Sequence, residues 1–198
     1  MSDQPRDVAD LVRLLARLRG DAESSGEPDV DTAVLATVGS DGRPGARTIN
    51  LHITADDQLL FFTSRRSGKG LSESSDTPVS LCIYWKASRV QVTLGAIAHE
   101  LPEDEADAVW SGRDRERQLL AYVSSLHPDA EPEAFAQAVE RTRDAMSFDR
   151  VPRPDDWAAY VLSLERVVIW RAAWAHAGRR HIYTIEDGVV TVDDAPGL

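Results

Sequence analysis

The sequence predicts an α+β protein built on an antiparallel β-barrel with peripheral helices. Three observations carry this. Short apolar runs bounded by Gly, Pro, Asn and Asp recur through residues 32–101 and again after Trp157. Between them, residues 102–146 change to an acid-led helical pattern. Near the C-terminus, HIYTIE and VVTVDD flank Asp187-Gly188, the strongest short hairpin signal in the chain.

Taken in order, DVADLVRLLARLR (7–19) places Val8, Leu11, Leu14, Leu15 and Leu18 on one helix face, with Gly20 as its stop. Residues 21–31 read as a polar linker, so residues 1–31 form an N-terminal helix and linker. Residues 32–198 form the barrel domain, with a helical insert at about 102–146. TAVLATVG (32–39) is the first strand, and Ser40-Asp41-Gly42-Arg43-Pro44 the turn after it. Thr48–Thr54 and Gln58–Thr63 follow, joined by Ala55-Asp56-Asp57, giving a three-strand meander. Residues 70–76 suit a short helix, and Pro78 suits the start of the strand Val79–Trp85. Arg89–Leu101 is a long strand in which Gly95 marks a bulge or bend. Pro102 and the acids behind it open a helix that Gly112 interrupts, and Glu131–Met146 forms another. PRPDDW breaks the helical run, and Ala158–Arg171 returns to strand before the final hairpin.

Of 198 residues, 42% are hydrophobic and 28% charged, the make-up of an ordinary globular domain. Thirty-three acidic against 22 basic residues give a net charge of −11, which argues against nucleic acid as a partner. No apolar stretch is long enough to span a bilayer, and the early acids of MSDQPRDVAD leave no secretory signal. The single cysteine, Cys82, lies in an apolar run and reads as a buried structural thiol, in keeping with a cytoplasmic location. The five histidines make no HxxxH pair on an expected helix, so no metal site is expected. No GxSxG, P-loop or GxGxxG is present.

The chemistry gathers in two places. Arg47 opens one strand, Thr63 closes the next, and Ser64-Arg65-Arg66-Ser67-Gly68-Lys69 follows directly. Hydroxyls, backbone N–H groups and cations in that order suit a phosphate cradle; a solvated basic loop after a hairpin fits these residues equally well. In WRAAWAHAGRRHIY (170–183), Arg171, Arg179 and Arg180 stand beside Trp170, Trp174 and His176. Such a cluster can clamp a planar anion by stacking and charge, although ordinary surface arginines at a strand end read the same way.

Taken together, ARTINLH, LLFFTSRRSGK, PVSLCIYW, VQVTLGAIAHEL, VPRPDDWAAYVLSLERVVIW and RRHIY resemble the pyridoxamine 5′-phosphate oxidase family, the FMN-binding split barrels. The resemblance implies an antiparallel split β-barrel and a homodimer that builds each FMN site from both chains. It implies that Arg47, Phe62, Thr63, Lys69, Gln91, Trp170 and Arg180 contact FMN. Where the family has an arginine before that lysine, this chain has Gly68, and Arg65 or Arg66 is available to stand in; Arg66 is taken as the candidate.

The departures fall on the substrate side. His52 replaces the family's substrate-phosphate lysine. Of the Tyr, Arg and Ser that hold the same phosphate, only Arg113 remains, with Val109 and Arg117 in the other places. The ring-orienting Arg-x-His reads His176-Ala177-Gly178, and a Gln-Ser pair reaching FMN from the partner subunit reads Leu126-His127. Flavin contacts are mostly kept and substrate contacts mostly lost. The expectation is an FMN-dependent oxidoreductase acting on a different small molecule, as in the phenazine-biosynthesis branch of the family. His52, Arg113, Arg117 and His176 are its candidate substrate contacts. No catalytic acid or base is assigned. Two alternatives remain: deazaflavin F420 in place of FMN, and a flavin-binding protein without turnover.

Overall fold

The structure is a computed structural model and describes residues 4–67, 71, 76–146, 150–172 and 178–196. Asp7 starts the first helix, α1 (Val8–Ser24), by accepting a hydrogen bond from Asp10 N. Leu11, Val12, Leu15, Leu18 and Ala22 form its buried face. The helix does not stop at Gly20. A single Gly costs only about 1 kcal/mol inside a helix, and the buried Leu18 and Ala22 on either side outweigh it. Asp21–Ser24 are therefore helix rather than linker, and the polar connection is shorter than the sequence suggests. Arg19 fastens that connection, donating from Nε and Nη2 to the two Asp31 carboxylate oxygens at 2.5 and 3.1 Å.

Eight strands follow: β1 (Thr32–Val38), β2 (Pro44–Ile53), β3 (Leu59–Ser64), β4 (Thr77–Trp85), β5 (Val90–Glu100), β6 (Trp157–Arg171), β7 (Arg179–Glu186) and β8 (Val189–Pro196). They form one sheet in the order β3-β2-β1-β4-β5-β6-β7-β8, and β3 also pairs with β6. That second pairing closes the first six strands into an antiparallel barrel and removes an open edge. The β7–β8 turn is the expected one, with Asp187 and Gly188 at φ 50° and 78°, both left-handed. Gly95 produces no bulge: β4 and β5 keep an unbroken register from Thr77↔Ala98 to Trp85↔Val90. Cys82 is half-buried on a face of β4 where Tyr84 is exposed, so it is not the fully buried thiol expected. The expected helix at 70–76 lies almost wholly outside the described residues.

Two compact units can be distinguished. One comprises Met1–Phe61, Lys69–His99 and Tyr160–Leu198; the other comprises Phe62–Gly68 and Glu100–Ala159. The first holds α1 and most of the barrel. Its core includes Leu35, Phe61, Leu81, Leu94, Tyr160 and Ile169, with the Phe61 and Tyr160 rings stacked at 5.1 Å. The buried Trp85 indole donates to Val30 O at 3.0 Å, so its polar atom is satisfied.

The second unit contains α2 (Glu103–Ser111), α3 (Arg115–Leu126) and α4 (Pro132–Ala145). Acids at Glu103, Asp104 and Glu105 face the positive end of the α2 dipole. Gly112 ends α2 as expected, and Asp114 caps α3 by accepting from the backbone N–H groups of Glu116 and Arg117. Trp110, Leu119, Val151 and Trp157 make its core, and the Trp110 indole donates to Val151 O at 2.9 Å. No helix among the described residues is long and apolar enough to cross a membrane.

Phe61 is 0% exposed, so Phe61→Ala should cost about 3–5 kcal/mol in chemical denaturation. Val38, 59% exposed, should tolerate the same truncation within about 0.5 kcal/mol. Similar losses at both positions would contradict this placement of the core.

Candidate functional site

Arg113 sits between α2 and α3, where its own N–H donates to Trp110 O at 3.1 Å. Its guanidinium carbon lies 4.4 Å from the centre of the Phe62 ring, 5.4 Å from that of Trp157 and 5.9 Å from that of Trp110. Phe62 in turn stacks on Trp157 at 5.2 Å, so a cation is held in an aromatic cage. The Arg113 Nε is buried and has no hydrogen-bond partner. Burial first, then repulsion from Arg117, pulls its pKa below the usual arginine value. Arginine stays charged regardless, so this is a desolvated cation whose charge an anion would satisfy. It borders a cleft of about 410 Å³, lined also by Phe62, Ser64, Ser125, Asp156 and Trp157.

The chain leaving β3 contributes to the same cleft. A single turn of 3-10 helix, Arg65–Ser67, follows the strand. Thr63 Oγ1 and Ser67 Oγ lie 3.1 Å apart, and Ser67 Oγ donates to Ser64 O at 2.5 Å. The two arginines of the turn diverge. Arg65 folds back onto Glu100 at 2.6 Å and Glu103 at 3.0 Å. Arg66 forms an ion pair with Asp156 at 3.2 Å and donates to Ser125 Oγ at 3.2 Å, while its side chain remains 63% exposed. Asp156 also accepts from Ser64 Oγ at 2.5 Å and from Ser125 Oγ. Burial alone would raise the Asp156 carboxyl; hydrogen bonds from Ser125 and Ser64, with Arg66, outweigh it and hold the pKa at about 2.

Of the remaining candidates, Arg117 lies in the same unit and the others in the barrel unit. Arg47, half-buried on β2, donates from Nη1 to Thr37 Oγ1 at 2.6 Å. Gln91, the second residue of β5, lies opposite Tyr84 and donates from Nε2 to Thr93 Oγ1 at 3.4 Å. Trp170 and Arg180 are direct partners across β6 and β7, so that expected pair is brought together. His52 on β2 borders a different open cleft, with Arg19, Asp31 and Thr54. Arg117 is exposed on the first turn of α3. Gly178 packs so closely that a Cβ there would lie 2.4 Å from Arg171 O and 3.0 Å from Trp170 Nε1. Lys69 and His176 lie outside the described residues.

Comparison with known proteins decides the kinship. The profile of the family described as pyridoxamine 5′-phosphate oxidase matches residues 25–146. The chain belongs to the pyridoxamine 5′-phosphate oxidase family. A pyridoxine/pyridoxamine 5′-phosphate oxidase of Myxococcus xanthus (strain DK1622) is 31% identical over 180 residues, covering 90% of this chain and 87% of the relative. Among solved structures, PhzG from Burkholderia lata 383, in complex with tetrahydrophenazine-1-carboxylic acid, superposes with a TM-score of 0.80. It is 23% identical, covering 98% of this chain and 94% of that one. A pyridoxamine 5′-phosphate oxidase-related, FMN-binding protein from Nostoc punctiforme PCC 73102 gives 0.72 at 17% identity, covering 90% and 95%. The fold is thus the split barrel of a flavin-binding oxidoreductase family.

Within that family frame, Asp156 is the residue that sequence reasoning passed over. PRPDDW reads only as a break between helix and strand, and nothing local shows that its second Asp meets Ser64, 92 residues away. Val109, in place of the family tyrosine, packs against the core of the helical unit instead of offering a hydrogen bond.

The Asp156 carboxylate makes stability depend on pH. Its folded pKa of about 2 lies below the ordinary 3.8, so its contribution is complete above about pH 4 and is lost as pH falls towards 2. At 11% side-chain exposure the difference corresponds to about 2 kcal/mol. Asp156→Asn should destabilise by about that amount near pH 7, with the gap to wild type closing below about pH 4. An unchanged gap across that range in urea titrations would show that the charge is not its source.

Proposed function

We propose that this protein is an FMN-dependent oxidoreductase, acting as a homodimer on a planar anionic small molecule other than pyridoxamine or pyridoxine 5′-phosphate. The observation that carries the reading is Arg113, a desolvated cation held over aromatic rings beside an open cleft, with Nε unpartnered. A carboxylate can accept two parallel N–H bonds along one edge of such a fork, while the flat rings of the cage favour a planar ligand. Tetrahydrophenazine-1-carboxylic acid, the ligand of the Burkholderia protein, has that chemistry. The phosphate of a B6 vitamer would find fewer partners here. Val109, packed against the core of the helical unit, has no polar group to offer it.

The donor set suits FMN. Hydroxyls of Thr63 and Ser67 with the Arg66 cation stand at the end of β3, groups a dianionic phosphate calls for, and the family resemblance adds Arg47. Gln91, Trp170 and Arg180 offer an amide, an indole and a guanidinium for a flavin ring. FMN, when bound, supplies the hydride chemistry, and the protein supplies position and charge. Arg113 would then fix the anionic end of the substrate, and Phe62 and Trp157 would keep water from that end. Arg65, on which the longer acidic tail of F420 would draw, is tied to Glu100 and Glu103, which favours FMN.

The purified protein should be dimeric by light scattering and take up FMN, identified by absorbance and by mass spectrometry of the released cofactor. Arg47→Ala should weaken FMN by about 1.5–3 kcal/mol and riboflavin by much less, because only FMN carries the phosphate. Equal losses for both flavins would assign Arg47 to the fold.

With FMN saturating, oxygen consumption on pyridoxine 5′-phosphate should be about a hundredfold below that of a related B6 oxidase assayed alongside. A planar aromatic carboxylate should perturb the flavin spectrum, and Arg113→Ala should abolish that perturbation. Turnover of the vitamer at the related enzyme's rate would overturn the reading.

A further inference from the structure

The turn after β3 is three residues long, too short to hold itself by its own hydrogen bonds. Its fixed points come from elsewhere, and they converge on one residue. Asp156 O accepts from Arg65 N at 2.7 Å. One carboxylate oxygen of Asp156 takes Ser64 Oγ at 2.5 Å and pairs with Arg66 Nε at 3.2 Å, and the other takes Ser125 Oγ. Ser64 Oγ accepts in turn from Arg66 N at 3.1 Å, so the chain of contacts returns to the turn. The burial is uneven: the carboxylate is 11% exposed and the guanidinium 63%. An ordinary surface ion pair would expose both partners and contribute little. Here the buried partner is the carboxylate, placed where it grips the turn from the inside.

We infer that Asp156 is a positioning residue that latches the Arg65–Ser67 turn and so holds the hydroxyls of Thr63 and Ser67 where rotation of their O–H bonds away from Ser64 O and from each other lets them donate to the cofactor phosphate. This rests on the FMN reading given above. Two effects oppose each other. A carboxylate near a phosphate repels it, but Arg66 and two hydroxyl hydrogen bonds already occupy this one, and solvent screens what remains. Releasing the turn instead returns conformational freedom to three residues, which phosphate binding must then remove. The second effect is the larger, so losing the carboxylate weakens phosphate binding even though it removes a negative charge.

The test uses the full-length protein with Asp156→Ala, Asp156→Asn and Arg66→Ala. By fluorescence titration, Asp156→Ala should weaken FMN about tenfold and riboflavin less than about twofold, with Asp156→Asn between wild type and Ala. In protein without flavin, amide exchange across residues 62–67 should be about tenfold faster in Asp156→Ala, with barrel peptides unchanged. Arg66→Ala should weaken FMN without that change in exchange. FMN bound more tightly by either Asp156 variant would show a competing charge rather than a latch. Equal losses for FMN and riboflavin, or unaltered exchange at 62–67, would overturn the inference equally. Wild-type protein that binds neither flavin would instead remove the cofactor reading, and the exchange experiment alone would then decide whether the turn is latched.

Discussion

The pairing of β3 along both of its edges is the constraint on which the rest of this structure depends. One edge meets β2 and the other meets β6, and that double use closes the barrel. The strand is divided along its length: Leu59, Leu60 and Phe61 are buried, while Phe62, Thr63 and Ser64 are half-exposed. Its apolar half is fixed in a core by Phe61 stacking on Tyr160, and its other half presents a ring and two hydroxyls. The half paired with β2, Leu59–Phe61, has little freedom, and the groups at the strand's end follow directly from it. Binding groups at the ends of rigid elements are positioned more accurately than groups on free loops.

An acidic protein has to make a cationic pocket against its own net charge, and here it does so by local arrangement. Arg13, Arg19, Arg143 and Arg153 each face carboxylates and are thereby committed to structure. Arg65 has the same fate despite standing in the most basic stretch of the sequence. Arg113 is different because aromatic rings, rather than acids, surround it. Rings partly compensate a desolvated cation without neutralising it, so the charge remains available to a ligand. Position relative to carboxylates, more than the number of arginines, determines which ones can bind.

Most of the fold was legible in the sequence, and the exceptions have physical causes. Alternation, turn residues and the acid-led insert gave every strand and helix of the barrel and the insert, because those patterns are local. The end of α1 was misjudged because burial of Leu18 and Ala22 overrides the weak preference of Gly20. Gly95 looked like a bulge but sits in regular register, its missing side chain leaving only ordinary contact with Arg166. In the site, the β6–β7 pairing that sets Trp170 beside Arg180 was not legible, because the hairpin signal at Asp187-Gly188 joins β7 to β8. The opposite fates of Arg65 and Arg66 could not be read either. They depend on Glu100, Glu103 and Asp156, each more than thirty residues away, and nothing in the run SRRS separates the two arginines.

Gly178 bears on how such a protein can change over evolutionary time. Any Cβ at this position would approach a backbone carbonyl to 2.4 Å. Real Cβ atoms essentially never come closer than 3.0 Å, so the β6 carbonyl or the residue itself would have to move first. A side chain at position 178 is therefore not gained in one step: any substitution there is costly until the backbone has shifted. The glycine acts as a ratchet, holding this close approach against single changes.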